Sequence, residues 1–383
     1  MHRHLALLLS LSSLSACCGS AMPRYDLLVG TYTQGSSLGI YRYRFDSTSG
    51  QIDPQPRQVL PSANPSWLVL SADQRRLFVT NETAPGGLVS SFAIDPHSAT
   101  LTPLSQADSG GAQPTYASLS TDERYLFVAN YAAEPDSGAS VTVLPIEADG
   151  RLGALIQRWQ HPASGVDAQR QASSHVHAVL PSPEGRYLFA SDLGGDRVYA
   201  YRYDAQAAEQ PLTPAVPAFT TLPPGSGPRH LLFSADGRHA YLTLELGNQL
   251  ARFDYHAGVL TLRQILDLHS PSEPATQQRA GALHLSNDGG FLYVASRGDD
   301  NLLVVFAVAP TSGALREIQR RAIEGKEPRE FVIDPSGRYL LVANQLSDQL
   351  QVLRRDPARG TLGQTVQTLP LSTPADLKFL QRR

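Results

Sequence analysis

Residues 64–82 read NPSWLVLSADQRRLFVTNE, and the fold is decided by their recurrence. A proline opens a short apolar run, a polar turn ending in arginine interrupts it, and a second β-rich run closes on the polar pair Asn81-Glu82. Apolar runs bounded by turn residues read as a strand hairpin. The same phrase returns as QPTYASLSTDERYLFVANY from Gln113, HVHAVLPSPEGRYLFASDL from His175, GPRHLLFSADGRHAYLTLE from Gly227, AGALHLSNDGGFLYVASR from Ala280 and EPREFVIDPSGRYLLVANQ from Glu327. With Pro65 as the marker, its equivalents Pro114, Val176, Pro228, Ala280 and Pro328 follow at spacings of 49, 62, 52, 52 and 48 residues.

Each copy runs on into a third apolar strand, such as LLVVFAVA from Leu302 or QLQVLRRD from Gln349, then a turn and a further short strand. Four strands at this period make one blade of a propeller. A seventh copy is split. Pro374 to Phe379 matches the opening strand, and Asp26 to Tyr32 with Gly39 to Asp46 matches the later ones. The expectation is an all-β, seven-bladed β-propeller with four antiparallel strands per blade. The two chain ends share the last blade, so the ring closes without free sheet edges. Residues 25–383 form this one domain.

Ahead of it, Arg3 and the apolar run Leu5 to Leu14 are too short to span a bilayer and read as a secretory leader over residues 1–21. Leu14-Ser15-Ala16-Cys17 resembles a lipobox, whose cysteine would carry a lipid anchor, while Gly19-Ser20-Ala21 suits an ordinary signal peptidase. Both cysteines, Cys17 and Cys18, fall here, so the domain holds neither disulfide nor thiol chemistry. A charged fraction of 17%, a net charge of −3 and no block of like charges give no footprint for nucleic acid. The expected location is the periplasm, and closure of the ring makes a monomer sufficient.

In a hairpin, the start of the first strand and the end of the second lie on one face. Across the seven copies these positions are Ser66, Thr115, His177, Arg229, Gly281, Arg329 and Ala375, and Tyr32, Glu82, Tyr131, Leu193, Glu245, Arg297 and Gln345. Three arginines converging on one mouth are costly unless paired, so an anionic ligand or transition state is expected there. Arg297 and Arg329 could instead pair structurally with Glu82, Glu245 or Glu327. His175, two residues before His177, suits either a structural or a binding role. Trp67 could stack on a sugar ring or pack. Calcium could draw oxygens from Glu82, Glu245, Asn81, Asn130, Asn344 and Asp192, but the arginines would repel a cation and no zinc or calcium motif is present. A site with no metal and no cofactor is expected.

The repeats resemble the seven-bladed lactonase family, which includes propeller-type 6-phosphogluconolactonase and the fungal carboxymuconate lactonizing enzyme. The resemblance spans Leu27 to Phe379. It is carried by Gly30-Thr31-Tyr32-Thr33, Ser174-His175-Val176-His177, Gly225-Ser226-Gly227-Pro228-Arg229-His230, Glu245-Leu246, Ser296-Arg297-Gly298 and Val342-Ala343-Asn344-Gln345. It departs from the pattern at Val176, which replaces proline, and at Gly281, where the other repeats carry side chains. The resemblance implies a site of His177, Arg229, Glu245 and Arg297.

Together with export, these residues imply hydrolysis of an unphosphorylated sugar lactone, D-glucono-1,5-lactone. Glu245 would be the general base, Arg229 and Arg297 the oxyanion donors, and His177 the acid or proton shuttle, the Glu and His roles being exchangeable. Tyr32, Glu82, Tyr131, Arg329, Gln345, His175 and Trp67 would contact the substrate. The alternatives are 6-phosphogluconolactone hydrolysis, a muconate-type cycloisomerase, and a binding propeller without catalysis.

Overall fold

The computed structural model describes residues 25–132, 139–269 and 278–381. The expected leader, its lipobox and Cys17 lie outside the described residues. Seven antiparallel sheets follow one another in chain order. Blades one to six have inner strands Pro65–Leu70, Ala112–Leu119, Val176–Pro181, Pro228–Phe233, Arg279–Leu285 and Pro328–Ile333. Blade seven is the split copy: Pro374–Gln381 is its inner strand and pairs with Tyr25–Thr31, from Tyr25 opposite Gln381 to Thr31 opposite Pro374.

The burial pattern explains the runs of apolar residues. The second strand of blade four, His239–Leu244, is buried along its whole length, whereas the outer strand Val259–Asp267 is largely open on both faces. Inner and second strands are sandwiched between neighbouring blades, so both of their faces need apolar or internally satisfied residues. Among the described residues the core divides into seven clusters, one at each blade interface. Leu27, Val29, Tyr43 and Phe45 of blade seven pack on Tyr339, Leu341 and Val352 of blade six. Leu28, Ile40 and Leu380 pack on Leu68, Leu77 and Val79 of blade one, which completes the ring.

Every inner strand is bulged at the residue after its marker. Pairing jumps from Pro65 to Trp67, from Pro114 to Tyr116, from Val176 to Ala178, from Pro228 to Leu231, from Ala280 to Leu283, from Pro328 to Glu330 and from Pro374 to Asp376. A bulge breaks the alternation of faces and re-aims the extra side chain. Here it turns the residue after the marker toward the ring axis. Ser66, Thr115, His177, Arg229, Arg329 and Ala375, from six different blades, meet around one small central cavity.

No helix among the described residues is long and apolar enough to cross a membrane. The single helical turn described, Gln345–Ser347, caps the rim of the mouth.

Candidate active site

The mouth is a cavity of about 300 Å³ on the axis, at the small end of the range for small-molecule sites. Its walls are Glu82, Gln113, Thr115, Tyr131, Arg170, His177, Glu245, Arg279, Arg297, Glu327, Arg329, Gln345 and Leu346. The ends of the second strands supply Glu82, Tyr131, Glu245, Arg297 and Gln345. Their backbones are tied to the residue before each marker: Glu82 N donates to Asn64 O at 3.0 Å, Glu245 N to Gly227 O at 2.7 Å and Gln345 N to Glu327 O at 3.0 Å.

Glu245 sits at the centre of the charge network. Its Oε1 accepts from Arg170 Nη2 at 2.8 Å, and its Oε2 pairs with Arg229 Nε at 3.0 Å and Arg297 Nη2 at 2.9 Å. Burial alone would favour the neutral acid, but Arg297, Arg229, His177 and Arg170 outweigh it and hold the carboxyl far below the usual carboxylate range. Arg229 is 1% exposed. Burial and neighbouring Arg297 push its guanidinium down to about 9, which still leaves it a cation at neutral pH. Arg297 is also anchored by Glu327 Oε1 at 2.9 Å. Gly281 accounts for the room this arginine needs, since a Cβ there would stand 3.1 Å from Arg297 Cδ and from Ala295 Cβ.

His177 is shut in against Tyr131 and His230, with ring centroids at 5.6 and 5.2 Å. Burial first, then Arg229, push its imidazolium well below the ordinary histidine range, Glu245 opposing them. It is therefore a neutral imidazole at neutral pH.

The placement corrects several sequence expectations. Glu245 is a poor proton acceptor, because both of its oxygens are engaged by guanidinium groups. Arg229 lies behind Glu245 and does not border the mouth, so it steadies the carboxylate instead of reaching a substrate. Tyr32 also stands outside the mouth, its hydroxyl donating to Glu82 Oε2 at 2.7 Å beneath the Arg329 guanidinium. His175 is behind Tyr131, bonded through Nδ1 to the Tyr131 carbonyl at 2.6 Å and stacked on its ring. Trp67 offers no face to a sugar. One face stacks on Tyr116 at 4.0 Å, Lys378 Nζ lies 4.4 Å from the ring centroid, and Nε1 donates to Ala117 O. Four of the residues weighed for calcium have oxygens engaged elsewhere: Asn81 Oδ1 accepts from Ser90 Oγ at 2.6 Å, Asp192 Oδ1 accepts from His175 N at 2.8 Å, Glu82 Oε2 accepts from the Tyr32 hydroxyl and Glu245 is ringed by arginines.

The structure also adds residues the two rings did not contain. Gln113, Arg279 and Glu327 come from the position before the marker, where Gln113 and Glu327 adopt left-handed backbone at φ 52° and 55°. Arg170 comes from the segment between blades two and three, held down by Gln171, whose Nε2 donates to Leu193 O at 2.8 Å. Its signal in the sequence is the 62-residue spacing, the longest of the series. Four arginines and three glutamates line the mouth, with Arg229 directly behind, so the site holds five cations against three anions.

The family model described as "Lactonase, 7-bladed beta-propeller" matches residues 26–379. The chain belongs to this lactonase family. It is thus a hydrolase acting on lactones, built as the family's propeller. This lactonase is similar to the periplasmic gluconolactonase PpgL of Pseudomonas aeruginosa, at 52% identity and a TM-score of 0.91 over 94% of this chain and 100% of that one. It is 30% identical to a 6-phosphogluconolactonase of Bacillus subtilis over 94% of this chain and 100% of the relative. It is 29% identical to one from Formosa agariphila over 92% and 99%.

Proposed function

We propose that this lactonase hydrolyses D-glucono-1,5-lactone to gluconate in the periplasm. The observation that carries the reading is the 52% identity, over the whole neighbouring chain, with a periplasmic gluconolactonase. The leader-like N-terminus agrees with it.

In this reading His177, neutral and bordering the mouth, takes a proton from water as the water oxygen bonds to the lactone carbonyl carbon. The carbonyl oxygen becomes an oxyanion facing Arg297 and Arg170, which Glu245 holds in place. Collapse breaks the bond between that carbon and the ring oxygen, and the His177 imidazolium returns its proton to the ring oxygen. The new carboxyl loses its proton to solvent. Arg329, Tyr131, Gln113, Gln345 and Glu82 hold the hydroxyls. The charge changes are met by arginine and histidine, and no metal or cofactor is assigned a role.

A phosphorylated lactone is the second reading. Arg279 favours it, because this half-open guanidinium touches Glu327 only at 3.5 Å and could turn to a phosphate. The test is kcat/KM for glucono-1,5-lactone and for its 6-phosphate, after subtraction of spontaneous hydrolysis, with and without chelator. A preference for the unphosphorylated lactone that chelation leaves unchanged is expected. A preference for the phosphate that disappears in Arg279→Ala would replace the reading with the second one.

A further inference from the structure

Beneath the mouth, on the ring axis, lies a second cavity of about 10 Å³. That is the space one water molecule occupies. Three polar atoms of its walls, Ser66 Oγ, Thr115 Oγ1 and His177 Nδ1, are shut off from solvent and have no hydrogen-bond partner among the described residues. Their residues are 2%, 5% and 6% exposed. Each such atom left unpaired costs free energy, and three of them on one cavity make it polar rather than dry. They are brought together by the bulges of blades one, two and three, which re-aim these three side chains alike.

We propose that this cavity binds a single water molecule, held by Ser66 Oγ, Thr115 Oγ1 and His177 Nδ1, and that this water fixes the tautomer of His177. Two other wall residues set the sense of the hydrogen bonds. Glu330 is 2% exposed and bonded through Oε1 to His284 Nε2 at 2.6 Å. As a carboxylate it only accepts, so a water meeting it points a hydrogen that way. Arg229 only donates, and occupies none of the water's hydrogens. With one hydrogen drawn to Glu330, the water keeps one hydrogen and two lone pairs for its three partners, so at least two of them must donate to it. His177 is assigned as one of these donors, through Nδ1–H, which leaves the Nε2 lone pair facing the mouth. Ser66 and Thr115 are thereby positioning residues, which act on the reaction through the imidazole; Thr115 also borders the mouth, with its Oγ1 shut off from solvent. Such outer partners of a working histidine commonly change its performance by ten- to a hundredfold.

The proposal rests on the reading of His177 as the base, and its test separates the two. High-resolution crystals of the wild-type protein are expected to show one water within hydrogen-bonding distance of all three atoms. Imidazole 15N NMR is expected to show His177 protonated on Nδ1. In the Ser66→Ala/Thr115→Val double variant, with its melting temperature recorded as a folding control, the NMR signal should move to a mixture of tautomers. Its kcat should fall about ten- to a hundredfold with KM little changed. Thr115→Ser, which keeps the hydroxyl, should retain the wild-type tautomer. A dry cavity in the wild type, or an unchanged tautomer in the double variant, overturns the proposal. An active His177→Gln enzyme, with the water and the tautomer behaving as described in the wild type, overturns only the base reading.

Discussion

At the scale of single residues, the division of labour between Glu245 and His177 turns on their surroundings. Three guanidinium groups hold Glu245 ionised, while burial and Arg229 hold His177 neutral. A base with a lowered pKa stays available in mild acid. With His177 as the proposed base, kcat/KM should therefore stay level as the pH falls through about 6.5, where an ordinary imidazole would lose activity. A pH–rate profile with an inflection near 6.5 would contradict this. His177→Gln should lower kcat about a hundredfold or more. Glu245→Gln should act differently, leaving Arg170, Arg229 and Arg297 without their shared anion. Removing one partner of a buried network costs about 3–5 kcal/mol, so thermal melting should drop together with activity. Gly281→Ala tests placement. Its methyl group would crowd Arg297 and the Ala295 methyl, and a roughly tenfold loss of kcat with a melting temperature only a few degrees lower is expected.

At the scale of elements, the hairpin repeat made much of the site legible. The ends of the second strands, read by arithmetic, are where Glu82, Tyr131, Glu245, Arg297 and Gln345 stand. The bulges were not legible, because strand patterning assumes strict alternation. With a bulge, the residues one and two past the marker both approach the axis. That is why Trp67 and His230 lie in the channel below the mouth and Arg229, expected as an oxyanion donor, sits behind the Glu245 carboxylate instead. The residue before the marker was hidden for a related reason. Its left-handed backbone in Gln113 and Glu327 turns those side chains into the mouth, and a preference for glycine or asparagine gives no hint of it. Arg170 belongs to a connection outside the repeat and was visible only as extra length. With its side chain about one-third exposed, Arg170→Ala should cost about tenfold in kcat/KM, in line with one charge-assisted hydrogen bond, and leave stability nearly unchanged. Steady-state kinetics beside a melting curve would show whether the segment serves catalysis or only packing.

At the scale of the whole molecule, closure and acidity both invite measurement. Deleting residues 374–383 would remove the inner strand of blade seven and expose the partner edge of Tyr25–Thr31 along with Leu28 and Leu68. Loss of cooperative unfolding and of soluble yield is expected, as for an open sheet edge. Acid should weaken the folded ring as well. Burial holds His177 and His230 well below their ordinary range, and holds His161 down at about 3. The unfolded chain therefore takes up protons first. This stability is complete above about pH 6.5 and is lost as the pH falls toward the folded-state values, by up to about 1.4 kcal/mol per pH unit for each histidine. The melting temperature should be several degrees lower at about pH 5.5 than at about pH 7.5. A flat profile would mean that these rings are protonated in the folded state.

The split blade also fixes how the molecule can be held. Thr31 and Pro374 lie at the mouth end of their strands, and Tyr25 and Gln381 lie side by side at the other end. The described chain therefore begins at Tyr25 and ends at Gln381 on the side away from the mouth. A tether, tag or solid support joined at either one becomes a stem behind the ring, with the catalytic opening facing outward and unshaded.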